Sequence, residues 1–341
     1  MTRGAARSQT NPLALAGFAF FAALAALIIV IALTGNASDG EPSVSLALSS
    51  RPFPRQVVAA SEALQPRLVN GNLAADPALI EKTAAGPLPI IAADGRKAMA
   101  AYARPFAAGG RPRIAVVIGG LGLSAGATRL ALTHLPPAVT VSFAPYASGL
   151  QPWVDAARGQ GREVLIEVPM EPLDYPANDP GPNTLLGRSG KNENTKRLYW
   201  ALSRATGYVG ITNLLGGRFL GDANAVEPVL AETAKRGLLF FDNGSHSATS
   251  AAAERTATPI VAGSLIIDAM QSRESIEAKL AELELRARET GTAVGSGILY
   301  PITIQKIAEW AKTLERRGFV LAPITAVIAP PETSPAPATA Q

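Results

Sequence analysis

The chain has 341 residues, of which 48% are hydrophobic, and this is enough to build a sizeable core. Its formal net charge is +4, and the Lys and Arg residues are scattered rather than clustered, which argues against a nucleic-acid-binding surface. Cysteine is absent and only two histidines are present, so disulfide frameworks, thiol nucleophiles, thiolate metal sites and histidine-rich metal sites are excluded.

The first predicted element is a membrane-spanning helix. From Leu13 to Leu33 the chain is almost wholly apolar and uncharged, about the length that a helix needs to cross a hydrocarbon core of roughly 30 Å. Arg3 and Arg7 precede this segment, whereas Asp39 and Glu41 follow it. The positive-inside bias therefore predicts a cytoplasmic amino terminus and an extracytoplasmic remainder.

This interpretation gives a single-pass protein of the inner (cytoplasmic) membrane whose domain lies on the periplasmic side. Residues 1–12 are then cytoplasmic, and residues 13–34 form an uncleaved anchor. A cleaved signal peptide is the alternative, because Gly35-Asn36-Ala37 resembles a small-x-small cleavage site. The apolar run is, however, longer than the usual core of a signal peptide, which favours the anchor.

Two segments flank the predicted folded domain, which spans residues 111–328. Residues 35–110 are rich in Ala and Pro without sustained periodicity, as is typical of a linker. Within it, the apolar stretch from Pro77 to Ile91 either docks on the domain as a strap or stays loose. Residues 329–341 consist mostly of Pro, Ala and Thr, which predicts a disordered tail.

The folded domain alternates short apolar strands with helices. It opens at Arg113–Gly122, where β-branched residues stop at paired glycines, and this predicts a buried strand that runs into a tight loop. Seven further strands are predicted near Val139–Phe143, Glu163–Val168, Tyr208–Ile211, Leu238–Phe241, Leu265–Ile267, Thr292–Val294 and Phe319–Leu321. Helices are predicted around Ser124–His134, Gly149–Gln160, Asn192–Arg204, Asn224–Arg236, Arg273–Glu289 and Thr303–Arg317.

Strands this short and apolar are covered on both faces, so the sheet is expected to be mainly parallel. Seven or eight strand–helix units favour an α/β barrel, closed or partly closed, over an open sheet. In either architecture ligands bind at the carboxyl ends of the strands. The residues expected at those ends are Gly119, Gly120, Glu167, Met170, Glu171, Asn213, Asp242, Asn243, Asp268 and Ser296.

Four other features of the sequence bear on function. Gly120–Gly126 resembles a dinucleotide-binding turn, but its spacing is one residue too long and the following strand ends without an acidic residue. His134 ends a predicted helix, which favours a capping role. His246 is expected to be an exposed loop residue, with a position facing the cleft left open. No nucleophile-elbow pattern supports Ser245 or Ser247 as a nucleophile.

Five segments in order resemble the divergent polysaccharide deacetylase family, and together they cover about Arg113 to Ile328. These segments are Ile114–Gly122, Val168–Pro172, Asp179–Leu185, Gly210–Phe219 and Gly237–Asp242. The resemblance implies a NodB-like deformed (β/α) barrel with mostly parallel strands. It also implies a location outside the cytoplasm and an association with carbohydrate.

The departures from the family pattern concern the metal site. Where members that resemble active deacetylases carry an Asp-Asp pair, this chain has Gly119-Gly120, so the expected metal ligand and catalytic base are both absent. Leu214, Glu167 and Ser296 stand where the resemblance implies histidines. Zinc needs converging nitrogen or carboxylate donors, so zinc is not expected. No cofactor is expected at all, although carboxylates leave a weak Mg²⁺ or Ca²⁺ site possible.

Three functions fit this sequence. The first is a degenerate family member that binds an envelope polysaccharide, such as a peptidoglycan-type glycan, or a protein of unknown identity. Its candidate binding residues are Asn213, Arg218, Met170, Glu167, Asn243 and Ser296. The second is a hydrolase in which Glu171 performs acid–base work with Asp242 or Asp268. The third is a non-catalytic envelope scaffold.

Overall fold

The computed structural model describes residues 75–244 and 246–328, and every structural statement below refers to these residues. The predicted anchor and the predicted tail lie outside them. Of the helices in this part of the chain, none is both long enough and apolar enough to cross a bilayer.

The centre of the fold is a nine-stranded sheet in which every pairing is parallel. An antiparallel hairpin precedes it in the chain. The strands are β1 (Ile80–Thr83) and β2 (Gly86–Pro89) of the hairpin, then β3 (Arg113–Leu121), β4 (Thr140–Phe143), β5 (Val164–Met170), β6 (Gly210–Leu215), β7 (Leu239–Asp242), β8 (Ile260–Ala262), β9 (Leu265–Ile266), β10 (Thr292–Ile298) and β11 (Val320–Ala322).

The strand order is β8-β7-β6-β5-β4-β3-β10-β9, with β11 paired to the start of β3. The two ends of this order, β8 and β9, are separated in the chain by only Gly263 and Ser264. Strand β8 pairs with β7 and β9 pairs with β10, so a short covalent link joins the ends of the curved sheet. The predicted parallel α/β architecture is therefore present. Within the described residues the strand order shows no pairing between β8 and β9, so the sheet is a half-barrel rather than a closed barrel.

Eight helices of the described residues connect the strands or flank them. They are α1 (Ala98–Ala101), α2 (Ala125–His134), α3 (Leu150–Gly159), α4 (Lys191–Leu202), α5 (Ala223–Lys235), α6 (Ser247–Thr256), α7 (Arg273–Thr290) and α8 (Pro301–Leu314). Local sequence fixes several starts, since the side chains of Ser124, Asp222 and Ser272 accept hydrogen bonds from the first turns of α2, α5 and α7. The His134 side chain bonds to the Leu130 carbonyl in the last turn of α2, which confirms its predicted capping role.

Side chains alternate along the strands into two cores. On β3, Ile114 and Ile118 pack toward the helices, whereas Ala115 and Val117 belong to a smaller cluster inside the barrel. The smaller cluster also includes Ile324, and Met99 packs against it. Because Ala115, near the start of β3, pairs with Ala322 of β11, this cluster fills the amino-terminal half of the barrel. The carboxyl ends of the strands are left to form a site.

The paired glycines of β3 do not end the strand, so the predicted loop at this position is wrong. Strand β3 continues to Leu121, and its register with β4 shifts between Ile118 and Leu121. Gly120 has a φ of 82°, a conformation that a residue with a side chain adopts with difficulty. The glycines therefore lie where the pairing of the strand end is irregular, at the mouth of the barrel.

The hairpin lies within the segment expected to be a linker or a docking strap, and the structure shows it docked. Leu79 and Leu88 are buried. The Arg236 guanidinium donates to the Pro89 carbonyl at 3.0 Å and pairs with Glu81 at 3.2 Å. These contacts hold the hairpin against the end of α5.

Candidate functional site

Glu167 lies inside the barrel at the carboxyl end of the sheet, and only 4% of it is exposed. Its Oε1 accepts hydrogen bonds from the Gly120 amide at 2.6 Å and from the Ser142 hydroxyl at 2.8 Å. Burial raises the pKa of Glu167, and these two hydrogen bonds only partly oppose that shift. Thr212 pairs with Glu167 in the sheet register. Its hydroxyl oxygen is the one buried side-chain N or O atom of the described residues without a hydrogen-bond partner.

The Glu167 carboxyl group occupies space that exists because residue 119 is glycine. A Cβ on Gly119 would lie 2.8 Å from Glu167 Oε1 and 3.1 Å from Ser142 Oγ, both closer than ordinary contacts. Gly119 and Glu167 are therefore complementary in shape. These two residues both depart from the family pattern, and they pack against each other. The sequence alone did not reveal this contact.

The burial of the Glu167 carboxyl group predicts how the stability of a Glu167→Gln variant depends on pH. The folded-state pKa of Glu167 lies above its ordinary value of 4.5, so the native state binds the proton more tightly than the unfolded state does. This contribution to stability is complete below about pH 4.5 and is lost as the pH rises through the folded-state pKa. Glutamine does not titrate, so the stability of the variant relative to the parent should increase across that window.

Urea unfolding of both proteins at a series of pH values measures this difference in stability. The contributions of the titratable groups that both proteins share cancel in the comparison. A difference in unfolding free energy that is the same at every pH would contradict the assignment of a raised pKa to Glu167.

Asp242 is fully buried and organises the loop that leads into α6. It accepts hydrogen bonds from the Gly244 amide at 2.9 Å and from the His246 amide at 2.8 Å, and its Oδ1 lies 2.9 Å from His246 Nδ1. By strand alternation it shares the helix-facing side of β7 with Phe240 rather than the interior side. His246, which was expected to be an exposed loop residue, is thus held by Asp242, with 24% of its side chain exposed.

The neighbouring strand ends are joined by two asparagines. The Asn213 side chain donates to Asn243 Oδ1 at 2.8 Å, and its own Oδ1 accepts from the Asn243 amide at 3.1 Å. The Asn243 side chain donates in turn to the Asn213 carbonyl at 3.1 Å. Both predicted binding residues therefore serve to tie β6 to the loop after β7.

The remaining predicted residues occupy separate positions. Asp268 Oδ2 accepts from the Ile298 amide at 2.8 Å and from the Thr303 hydroxyl at 2.9 Å, which links β10 to α8. Burial raises the pKa of Asp268. Ser296 is half-buried on β10, level with Ile266 of β9. Met170 is completely buried in the core between the sheet and the helices.

An open groove lies where the chain leaves β5 and β6, with a volume of about 510 Å³. It is called the Glu171 groove below, and its lining residues are Glu171, Tyr175, Pro176, Gly187, Arg188, Arg218 and Asp222. Glu171 Oε2 accepts from the Gly187 amide at 2.7 Å, and Oε1 lies 3.7 Å from Arg218 Nε. The Arg188 guanidinium stands 5.6 Å from the centre of the Tyr175 ring.

Some residues that line the groove are predicted from the sequence, and others are not. Glu171 and Arg218 are predicted site residues. Asp222 and Arg188 were not selected, although an aspartate directly before an apolar helix is a recognisable capping signal for Asp222.

The side chains at the carboxyl edge do not fit the metal that the family resemblance implies. Within the described part of the chain, no group of three or more His, Cys, Asp or Glu residues is arranged to hold a metal ion. The expected ligand positions hold Gly119, Leu214 and Ser296, and the Glu167 carboxyl is bonded to the backbone and to Ser142.

Comparison with known proteins places this chain in a family. The family model described as divergent polysaccharide deacetylase matches residues 116–328, which is more than half of the chain. This chain belongs to the divergent polysaccharide deacetylase family. The resemblance drawn from the five sequence segments is therefore confirmed.

Two relatives support this assignment. The protein YibQ of Escherichia coli (strain K12) is 24% identical over 219 residues, which cover 64% of this chain and 67% of YibQ. The crystal structure of protein ATU2773 from Agrobacterium tumefaciens C58 is 38% identical, with a TM-score of 0.69. That match covers 71% of this chain and 99% of the Agrobacterium chain. The divergent deacetylase domain thus extends over most of the described residues.

Proposed function

We propose that this divergent polysaccharide deacetylase family member recognises an envelope glycan in the Glu171 groove without the help of a metal ion. One observation carries the proposal. The groove gathers a buried carboxylate, a second carboxylate, two guanidinium groups and a tyrosine ring around about 510 Å³. Such a mixture of hydrogen-bonding groups beside an aromatic face suits the hydroxyl groups and apolar ring faces of a sugar.

The position of the groove supports a binding role. In parallel α/β barrels ligands bind at the carboxyl ends of the strands, and the groove lies at that edge. Six of the seven large apolar side chains exposed in the described residues also lie at or soon after strand ends. These six are Leu123, Leu173, Leu215, Ile266, Met270 and Ile298.

Recognition is favoured over acid–base hydrolysis because of how the carboxylates are used. Asp242 uses both oxygens, and Asp268 uses Oδ2, to hold neighbouring backbone and side-chain groups. A general acid or base must instead reach a substrate proton. Of the three predicted catalytic carboxylates, only Glu171 lines the open groove.

The proposal includes the location predicted from the sequence. The apolar segment Leu13–Leu33 would anchor the protein in the inner membrane, with the groove exposed to glycans on the periplasmic side. A reporter that fluoresces only in the cytoplasm, fused after Gln341, should give no signal. A bright signal would contradict both the topology and the access to envelope glycan.

The groove is tested by the Arg218→Ala variant, because 55% of this side chain is exposed and its removal leaves the core intact. Loss of a hydrogen bond from a charged donor costs about 1.5–3 kcal/mol, so glycan affinity should fall roughly ten- to a hundredfold. Arg286→Ala, on the exposed side of α7, is the control and should bind as the parent does.

Binding is measured by calorimetry of the full chain with tetramers of β-1,4-linked N-acetylglucosamine and of glucosamine. If neither tetramer binds, glycan recognition is wrong and an envelope scaffold is the better account. If Arg218→Ala binds glycan with unchanged affinity, the glycan binds at another place on the protein.

A further inference from the structure

The most specific feature of the Glu171 groove is the convergence of two carboxylates over a glycine. A Cβ on Gly187 would lie 3.6 Å from Glu171 Oε2 and 3.9 Å from Asp222 Oδ2. The two carboxylates come from different elements, the end of β5 and the start of α5. Because residue 187 has no side chain, the space between them is open to the groove.

Glu171 is more than nine-tenths buried, yet its hydrogen-bonding capacity is incompletely used. Oε2 accepts one backbone hydrogen bond, from Gly187. Oε1 is 3.7 Å from Arg218 Nε, which is longer than a hydrogen bond. A carboxylate accepts up to about four hydrogen bonds, so this buried group can still take a donor from the groove.

Asp222 likewise has a free oxygen. Its Oδ1 accepts from the Asn224 amide at 2.9 Å and so caps α5. None of the described residues donates a hydrogen bond to Oδ2, the oxygen that faces Gly187. The site therefore offers acceptors from two directions around one small space.

The neighbouring cations only partly offset these carboxylates, since Arg218 forms a long ion pair of 3.7 Å with Glu171 Oε1. A guanidinium nitrogen of Arg218 donates to the Leu173 carbonyl, and the Arg188 guanidinium lies over the Tyr175 ring. The space above Gly187 is thus lined by carboxylate oxygens, and a cationic group with several N–H donors fits it best. A primary ammonium group carries three such donors.

We propose that the groove selects glycans with a free amino group, that is, de-N-acetylated hexosamine units. This inference rests on the proposed glycan recognition and specifies its ligand. The ammonium group would lie between Glu171 and Asp222, with a sugar ring beside Tyr175. An acetamido group in that place is neutral and has a single N–H donor, so it leaves both carboxylates undersatisfied. The preferred ligand is then the product of deacetylation rather than its substrate.

The test compares the full chain with the glucosamine tetramer and with its fully N-acetylated counterpart by titration calorimetry. The parent protein should bind the amino form at least about tenfold more tightly, the equivalent of one lost charged hydrogen bond. Asp222→Asn and Glu171→Gln should each reduce affinity for the amino form roughly ten- to a hundredfold. Neither should weaken binding of the N-acetylated form comparably.

Both substitutions should preserve the local structure. Asparagine caps a helix as well as aspartate does, and glutamine still offers an oxygen to the Gly187 amide. Glu254→Gln, on the exposed surface of α6, makes the same change in net charge away from the groove and is the matched control.

The outcomes separate the two claims. Equal affinity for both tetramers, or a preference for the N-acetylated one, would overturn amine selection while leaving glycan recognition in place. An equal loss of affinity in Glu254→Gln would show general charge attraction and would also overturn amine selection. Failure of both tetramers to bind would overturn the proposed function itself.

Discussion

Gly119→Asp, which restores the residue type that the family resemblance implies at this position, should destabilise the protein by about 3–5 kcal/mol. The new Cβ would lie 2.8 Å from Glu167 Oε1, so either the strand or the Glu167 carboxyl group must move. The new carboxylate would also lie beside a buried carboxyl group, and like charges at this distance repel.

The coupling between the two positions is tested by a double-mutant cycle. In a Glu167→Ala background the same Gly119→Asp change should cost at least about 2 kcal/mol less, because the obstructing group is gone. Gly126→Asp is the matched control, since nothing lies within 4 Å of a Cβ there and the residue sits in the first turn of α2. Urea unfolding of these variants gives the free energies.

An equal cost of Gly119→Asp in both backgrounds would mean that the strain comes from the backbone rather than from Glu167. The complementarity between these two positions would then be wrong.

Arg162→Leu should be comparably damaging, with a loss of about 3–5 kcal/mol. The side chain is 3% exposed, and its guanidinium donates to the carbonyls of Leu132 at 3.0 Å, Leu135 at 2.5 Å and Pro136 at 2.6 Å. Removing it leaves these acceptors at the end of α2 without their donor, and each unsatisfied buried group costs about 1–3 kcal/mol.

Burial lowers the pKa of Arg162 to about 10, so the group is still charged at neutral pH. Arg162→Lys should be intermediate in stability, because an ammonium group cannot reach all three carbonyls from one position. Thermal unfolding with Arg286→Leu as an exposed control measures the effect. A stability of Arg162→Leu close to that of the parent would contradict the capping role of this buried arginine.

Most elements of the fold could be predicted because their sequences carry strong patterns. Helix α7, for example, buries Ile276, Leu280, Leu283 and Ala287, the same apolar face that the sequence indicates. Helix α6 was missed because Ser247–Thr256 consists mainly of Ala, Ser and Thr and has no large apolar side chains to show a period. Strand β8, of three residues, is too short to stand out.

The site was harder to predict, for physical reasons that differ between residues. Asp242 directly follows an apolar strand, as a catalytic carboxylate can, but strand alternation turns it toward the helices, where it holds His246. The contact between Glu167 and Gly119 depends on sheet register, which the sequence does not show. The approach of Asp222 to Glu171 brings together residues 51 positions apart in the chain, across the loop at Gly187.

The central claim is that the groove recognises glycan with its own side chains and needs no metal ion. The most direct test is a calorimetric titration of the full chain with the glucosamine tetramer, repeated after exhaustive treatment with a chelator. The account predicts the same affinity before and after chelation, because Glu171, Asp222 and Arg218 make the contacts. Binding that disappears with the chelator and returns with stoichiometric zinc would contradict it.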